Sequence, residues 1–186
     1  MGALGKTLRS LWVRIRYDDY TIAELFRSQG ADIGPGTRIL IRDIGSEPYL
    51  VSIGEGTLIS SDVAFYTHDG AVWVLRGDEP TLNRFKRIDI GARCFIGART
   101  ILLPGARVGD GSVIGAGSVV SGEVPAGVVA AGVPAAALCS VGEWATRVRQ
   151  ESLPLTADLF PLDGCDRDRL RDELVKLIPA DPETDR

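Results

Sequence analysis

The most regular feature of this chain is an apolar residue at every sixth position across its middle third. Neither an α-helix with 3.6 residues per turn nor a strand of period two produces that spacing, so the pattern predicts a repeat architecture. The fourth residue after each apolar position is small, and a glycine follows several of them directly. The apolar positions are Ile90, Ile96, Leu102, Val108, Ile114 and Val120; the small ones are Cys94, Thr100, Ala106, Ser112, Ser118 and Val124; the glycines are Gly91, Gly97, Gly109 and Gly115.

Three hexapeptides per coil would stack Ile90 under Val108, Ile96 under Ile114, and Leu102 under Val120. Adjacent coils would lie about 4.8 Å apart, the usual spacing between strands. An earlier block has apolar positions at Ile53, Ile59 and Phe65, after less regular turns around Ile33 and Ile39. The period breaks after THDG and resumes at Ile90, so residues 71–87 are predicted to leave the solenoid as a projecting loop.

The run IGARCFIGARTILLPGARVGDGSVIGAGSVVSGEVPAGVVAAGVPA resembles the hexapeptide-repeat acyltransferases. The resemblance extends over about residues 32–134 and implies a mainly β fold, the left-handed parallel β-helix, usually assembled as a homotrimer. We therefore expect an N-terminal helical cap in residues 1–31, a β-helix in 32–138 and a C-terminal helical extension in 139–186. The left hand rests on the resemblance alone, since parallel crossovers are otherwise right-handed.

The two ends of the chain read as helices. Leu4, Leu8, Leu11, Trp12 and Ile15 fall at helical spacing, which indicates a cap on the open end of the solenoid in preference to a membrane-surface anchor. Residues 141–150 and 166–178 predict two further helices. No apolar run is long enough for a membrane span or signal peptide.

Composition narrows the class of protein. A net charge of -4 gives no reason to expect nucleic acid as a partner. Three cysteines at irregular spacing indicate no disulfide framework and no zinc site, and Cys94 falls at a small-residue position where packing explains it. A reducing, cytoplasmic setting fits this composition.

The only histidine of the chain, His68, stands directly before the projecting loop. The string FYTHDG is similar to the segment that carries the catalytic histidine in the sugar and xenobiotic acetyltransferase branch of the family, so the resemblance makes His68 the general base. An imidazole that titrates near neutrality suits removal of a proton from an alcohol. Asp69 is a weak candidate for orienting the ring, because consecutive residues of an extended chain point to opposite sides. We also expect Asp69, Trp73, Arg76 and Arg84 to contact the acceptor.

The repeat also predicts a groove for acetyl-CoA. Gly97 and Ala98 are eighteen residues before Gly115 and Ala116, so the two pairs occupy one corner of successive coils and form a column almost without side chains. The resemblance implies that the Ala98 amide faces the thioester oxygen and that Ala116 lines the pantetheine path. Ser121, Ala131 and Pro134 match the family's cofactor-closing segment, but Gly122 and Ala136 replace the basic residues common there.

These observations predict an acetyl-CoA-dependent O-acetyltransferase that acts on a sugar hydroxyl, in cell-surface polysaccharide synthesis, with active sites between subunits of a homotrimer. N-acetylation of a nucleotide-linked amino sugar is the alternative, and a catalytically silent scaffold is a third interpretation, because fold does not fix function. A single histidine excludes the three-histidine zinc site of a carbonic anhydrase on this fold, and no metal is expected.

Overall fold

A computed structural model describes residues 13, 15–153, 155 and 166–178. Its described residues contain fourteen short strands in three sheets, and neighbouring strands are parallel except in the last pair. Sheet 1 contains β1 (Asp32–Ile33), β3 (Val51–Ile53), β6 (Ile88–Ile90), β9 (Arg107–Val108) and β12 (Glu123–Val124). Sheet 2 contains β2 (Arg38–Ile39), β4 (Leu58–Ile59), β7 (Phe95–Ile96), β10 (Val113–Ile114), β13 (Val128–Ala131) and β14 (Ala136–Ser140). Sheet 3 contains β5 (Ala64–Phe65), β8 (Ile101–Leu102) and β11 (Val119–Val120).

The chain visits the three sheets in turn, so each regular coil of this left-handed parallel β-helix has three faces. We name the corners by the sheets that they join. The first corner, between sheets 1 and 2, contains residues 91–94 and 109–112. The second corner, between sheets 2 and 3, contains residues 97–100 and 115–118. The third corner, between sheets 3 and 1, contains residues 103–106 and the base of the projecting loop.

The strand register confirms the predicted stacking of the apolar positions. Ile90 pairs with Val108, Ile96 with Ile114, and Leu102 with Val120. All six are buried, each contributing about 1.5–3 kcal/mol of apolar burial. The small residues at five of the six predicted positions are also buried, as listed here: Cys94, Thr100, Ala106, Ser112 and Ser118. Burial raises the pKa of the Cys94 thiol, as expected for a packing residue.

Val124 departs from the predicted repeat. It pairs with Val108 and is buried as an apolar core residue of β12, not as the small neighbour of Val120. The reason is a shortened coil, because Val108 and Val124 are sixteen residues apart, whereas the preceding coil, from Ile90 to Val108, uses eighteen. The coil therefore loses two residues at the third corner but keeps its core register.

Close stacking of the coils explains the corner glycines. A Cβ added to Gly97 would lie 2.5 Å from the backbone nitrogen of Ala116 and 2.7 Å from the carbonyl oxygen of Ile114. Gly54, Gly91 and Gly109 meet the next coil in the same way. Glycine is thus required at these corners by backbone contact between coils, whether or not a ligand binds there.

The open N-terminal end is covered by α1 (Ile22–Ser28). Its residues Ile22, Ala23 and Phe26 are buried, and Arg27 donates from Nε to the carbonyl of Ile33 at 2.8 Å. Most of the predicted helix around Leu4 to Ile15 lies outside the described residues, although residues 13, 15 and 16 are helical. The cap seen in the structure is therefore a helix that the periodicity of the first residues did not predict.

After the last coil, β13 turns back into antiparallel β14 and the chain enters α2 (Val141–Glu151). A separate helix, α3 (Arg167–Leu177), begins at Asp166, whose side chain accepts hydrogen bonds from the backbone of residues 168 and 169. Both helices coincide with those predicted. The chain divides into two compact units, residues 1–144 and 145–186. Within the described ranges, no helix is both long and apolar enough to cross a membrane.

Candidate active site

His68 lies at the third corner, where the chain leaves β5 and enters the projecting loop. It forms an antiparallel bridge with Phe85, flanked by hydrogen bonds from Asp69 N to Arg84 O and from Lys86 N to Thr67 O, at 2.9 and 2.8 Å. The two sides of the loop base thus form a short ribbon. His68 and Phe85 face the same side of it, with ring centroids 5.9 Å apart, and 47% of the His68 side chain is exposed. The imidazole is held by backbone geometry but remains open to a substrate.

The orienting partner of His68 is Glu47, which lies just before the 3₁₀ turn Pro48–Leu50. His68 Nδ1 is 3.1 Å from Glu47 Oε2, and the buried Thr67 hydroxyl donates to the same oxygen. The Thr67 hydrogen bond holds the pKa of Glu47 below its ordinary value, partial burial opposes this, and the contact with His68 lowers the pKa further. Glu47 is therefore the acceptor in this contact and His68 Nδ1 the donor, so in the neutral imidazole the lone pair lies on Nε2.

Asp69 is occupied by other contacts. Its carboxylate accepts from the backbone nitrogen of Ala71 at 3.0 Å and from Arg84 Nη1 at 2.6 Å, and these bonds hold the pKa of Asp69 below its ordinary value. Asp69 therefore fixes the start of the 3₁₀ helix Gly70–Leu75 and the base of the loop, and Glu47 takes the orienting position for which Asp69 was a weak candidate.

Sequence reasoning missed Glu47. The one signal available is coil length, since β1 and β3 are paired twenty residues apart, from Asp32 to Ser52, instead of eighteen. The two extra residues indicate a bulge in that coil without giving its position. They do not show that its carboxylate returns toward a histidine twenty-one residues later.

The four predicted acceptor contacts fall into two pairs. Asp69 and Arg84 form the ion pair at the loop base, whereas Trp73 and Arg76 lie further out, with the Arg76 guanidinium 5.7 Å from the centre of the Trp73 ring. Trp73 is 72% exposed, and Arg76 is also held by Asn83 at 3.0 Å. The loop thus presents an aromatic and cationic surface, with only the first pair next to His68.

The residues of the predicted cofactor groove lie in one column at the second corner. A Cβ on Gly97 would meet Ala116, and one on Gly115 would lie 2.8 Å from the Cβ of Ala131, so these residues follow one line across three coils. Ala98 accepts from Gly117 N at 2.8 Å. Within the part of the chain that the structure describes, the amide hydrogens of Ala98 and Ala116 have no hydrogen-bond partner.

At the first corner the matching donor is satisfied. The Ala92 amide donates to Asp110 Oδ1 at 2.8 Å. The second corner therefore differs from the first at this position, because the Ala98 amide has no such side-chain acceptor among the described residues and lies on a column of small residues, which suits a narrow amide-containing chain with a carbonyl at one end.

The structure separates the remaining site residues. Pro134 lies in the exposed turn between β13 and β14, next to Gly132, whose nitrogen donates to Ser118 at the second corner. Ser121 lies at the third corner, the same corner as His68. In one chain, the histidine and the Ala98–Ala116 column thus occupy different corners of the prism.

Comparison with known proteins agrees with this architecture. The family model described as bacterial transferase hexapeptide (six repeats) matches residues 87–122. Protein CapG of Staphylococcus aureus is 42% identical over 129 residues, which cover 68% of this chain and 75% of that protein. The chain belongs to the hexapeptide-repeat acyltransferase family, as its sequence indicated.

Two further relatives are more distant. Galactoside O-acetyltransferase of Escherichia coli (strain K12) is 35% identical over 79 residues, 42% of this chain and 38% of that protein. A hexapeptide-repeat-containing acetyltransferase from Vibrio cholerae has a solved structure that superposes with a TM-score of 0.57 at 22% identity, covering 71% of this chain and 86% of that one. This structural likeness supports the β-helix fold.

Proposed function

We propose that this acetyltransferase transfers the acetyl group of acetyl-CoA to a hydroxyl group of a sugar, with His68 as the general base. His68 Nε2 takes the hydroxyl proton as the oxygen attacks the thioester carbonyl. Collapse of the tetrahedral intermediate forms the ester and breaks the carbon–sulfur bond, and the proton passes from the imidazolium to the departing thiolate. The products are an acetylated sugar and coenzyme A.

The observation that carries this proposal is the Thr67–Glu47–His68 arrangement at the base of the loop. A base needs a defined tautomer and a stable position, and Glu47 supplies both because its ionised oxygen accepts from Nδ1. The negative charge also stabilises the imidazolium that forms during attack. A carboxylate that orients the imidazole is expected beside a general base, whereas a protein that serves only as a scaffold does not need one.

The second-corner column supports the acetyl-CoA part. The unpaired amide of Ala98 is placed in our proposal at the thioester oxygen, where one donor can stabilise the transition state by about 3–4 kcal/mol. Gly97, Gly115, Ala116 and Ala131 leave room for the pantetheine arm, and Ser121 and Pro134 remain proposed contacts. The Vibrio cholerae acetyltransferase has also been solved with acetyl-CoA.

The separation of His68 from the column supports sites between subunits. The outer face of sheet 1 is polar, with Asp89, Arg107 and Glu123 pointing outward. The outer faces of sheets 2 and 3 are apolar, with half-buried Val113, Val119 and Val129 and with Phe95 41% exposed. Burial of these two faces in a cyclic trimer would place His68 of one protomer beside the column of the next.

The sugar hydroxyl as acceptor rests on similarity. Galactoside O-acetyltransferase is named for a sugar acceptor and an ester product, and it shares the repeat over 79 residues. The exposed Trp73 and the Asp69–Arg84 pair next to His68 fit an acceptor with a ring face and hydroxyl groups. Cell-surface polysaccharide synthesis remains our prediction for the setting.

The proposal is tested by incubating the protein with acetyl-CoA and a panel of sugars, amino sugars and nucleotide sugars while free thiol is measured. We expect thiol release with a hydroxyl acceptor, and His68→Asn should lower turnover by about 10²–10⁴-fold while the Kd of coenzyme A stays unchanged. Turnover above about a tenth of wild type in His68→Asn would contradict the base assignment. Acetylation of amino sugars alone would replace the hydroxyl acceptor by an amine.

A further inference from the structure

A cleft of 470 Å³ opens at the third corner, against the outer face of sheet 1. We call it the basic cleft, and it is lined by Lys86, Arg87, Asp89, Gly105, Arg107 and Glu123. Three cationic and two anionic side chains line it, which leaves an excess of one positive charge. Neither the base assignment nor the second-corner column uses any of these residues.

Cross-strand pairing explains only part of this cluster. Asp89 is in register with Arg107, and Arg107 with Glu123, so these three form a ladder of alternating charge on sheet 1. Lys86 and Arg87 are outside the ladder, at the end of the projecting loop, and they supply the excess positive charge.

The cations of the basic cleft are weakly engaged. Asp89 is 3.5 Å from Arg87 Nε and 4.0 Å from Arg107 Nε, near the limit for an ion pair. Among the described residues, the Lys86 ammonium has no hydrogen bond or ion pair, and neither guanidinium donates a hydrogen bond. Most of their N–H donors are therefore available to a ligand.

Lys86 is nevertheless held in place. Its backbone nitrogen donates to Thr67, one residue before His68, and its Cδ would lie 2.9 Å from a Cβ added to Gly105. Gly105 has a φ of +89°, so the close approach of the lysine stem coincides with a backbone conformation that favours glycine. The lysine stem therefore packs on the coil, with its charged end in the cleft.

We propose that the basic cleft binds a phosphate or diphosphate group carried by one of the two substrates. Guanidinium groups match phosphate oxygens with paired donors, and a lysine adds a compact charge. A volume of 470 Å³ exceeds a single phosphate and accommodates a diphosphate or part of a nucleotide. The cleft adjoins the ribbon that carries His68, so an acceptor linked to phosphate would extend from the base to these cations.

The inference rests on the proposed function only for the origin of the phosphate, because binding is measured without acetyl transfer. Pyrophosphate is the probe, titrated calorimetrically into wild-type protein at low ionic strength. Lys86→Gln and Arg107→Gln should each raise its Kd by about tenfold, the loss expected for one charge-assisted contact. The matched control, Arg93→Gln, removes an exposed arginine paired with Glu55 at the first corner and should leave the Kd unchanged.

A variant that removes a negative charge from the cleft should have the opposite effect on affinity. Glu123→Gln removes a carboxylate from the cleft and should lower the Kd of pyrophosphate, whereas a purely structural ladder predicts no gain in affinity. No pyrophosphate binding at about 10 mM, a level weaker than ordinary substrate affinities, would overturn the proposal. Equal Kd values in the wild type and both cation variants would also overturn it.

The source of the phosphate is resolved by repeating the titration with saturating coenzyme A. Pyrophosphate that still binds assigns the cleft to the acceptor's carrier. Pyrophosphate that is displaced, together with a raised Kd of coenzyme A in Lys86→Gln, assigns it to the phosphates of coenzyme A, whose expected cationic contacts are absent at Gly122 and Ala136. Either outcome keeps the cleft as a phosphate site.

Discussion

The Glu47 carboxylate offers the sharpest test of the active site. In Glu47→Gln the side-chain amide oxygen keeps the shape of the contact and can still accept from Thr67 and from His68 Nδ1. Only the negative charge is lost. A charge-assisted hydrogen bond contributes about 1–1.5 kcal/mol more than a neutral one, so kcat should fall roughly tenfold.

Glu47→Ala removes the acceptor as well as the charge. The imidazole then loses its fixed orientation. Misplacement of a catalytic group by about 1 Å costs about a hundredfold in rate. Thr67, which is 1% exposed, is left with a buried hydroxyl lacking this acceptor, at a cost of about 1–3 kcal/mol in stability. Comparing the Gln and Ala variants separates charge from position.

The assay is thiol release under saturating acetyl-CoA, combined with calorimetric titration of coenzyme A. The Kd of coenzyme A should not change, because Glu47 acts through His68 and not through the cofactor column. Glu55→Gln is the matched control, since Glu55 is an exposed carboxylate at the first corner. If Glu47→Gln keeps kcat within about twofold of wild type, Glu47 does not support the base.

A pH series gives a second readout of the same residue. The folded pKa of Glu47 lies below the ordinary value of 4.5, so the ionised carboxylate stabilises the fold above that pH and this contribution is lost as pH falls through the folded pKa. The difference in Tm between wild type and Glu47→Gln should therefore narrow as the pH falls below 4.5. A difference that is constant across that range would show that the ionised carboxylate adds nothing to stability.

Three further outcomes are expected. Ala116→Phe should raise the Kd of coenzyme A by about tenfold or more, whereas the control Ala126→Phe, at the first corner, should leave it unchanged. If the two variants have equal Kd values, coenzyme A does not bind along the second corner. Gly97→Ala should destabilise the fold by about 1–3 kcal/mol because its Cβ would lie 2.5 Å from a backbone nitrogen, while Gly77→Ala, with open space around it, serves as the control in thermal unfolding. An equal mixture of His68→Ala and Ala116→Phe subunits, dissociated and reassociated, should recover about a quarter of wild-type turnover. In a cyclic trimer, about a quarter of the sites then combine an intact histidine with an intact column from the neighbouring subunit. No recovery would place each site within one subunit.

The period of six predicted the buried apolar positions of the regular coils. It identifies inward positions because each coil repeats three nearly identical faces, and the register of β6 to β11 follows from it directly. It failed at Val124, where the last coil is shortened at a corner and local sequence contains no sign of the change. Packing decided the outcome there, since Val124 fills the same interior layer as Val108.

The site was predictable only in part. The position of His68 at the base of the loop could be predicted because it precedes the break in the repeat, and the alignment of Gly97 and Ala98 with Gly115 and Ala116 could be predicted because these residues recur at eighteen. Glu47 could not, since its approach to His68 depends on how an irregular coil returns to the corner. The basic cleft was missed for a related reason, because Lys86 and Arg107 are brought together by the fold from a loop and a strand.

The projecting loop leaves and rejoins the solenoid at nearly the same place, with Lys86 N only 2.8 Å from Thr67 O. An insertion between those points changes neither the register of the sheets nor the interior layers, so its length and composition are free to vary independently of the fold. The loop, which we propose contacts the acceptor, can therefore be replaced as a unit while His68 keeps its position at the junction. The same geometry makes this corner the natural place at which to graft loops from relatives when a new acceptor is wanted.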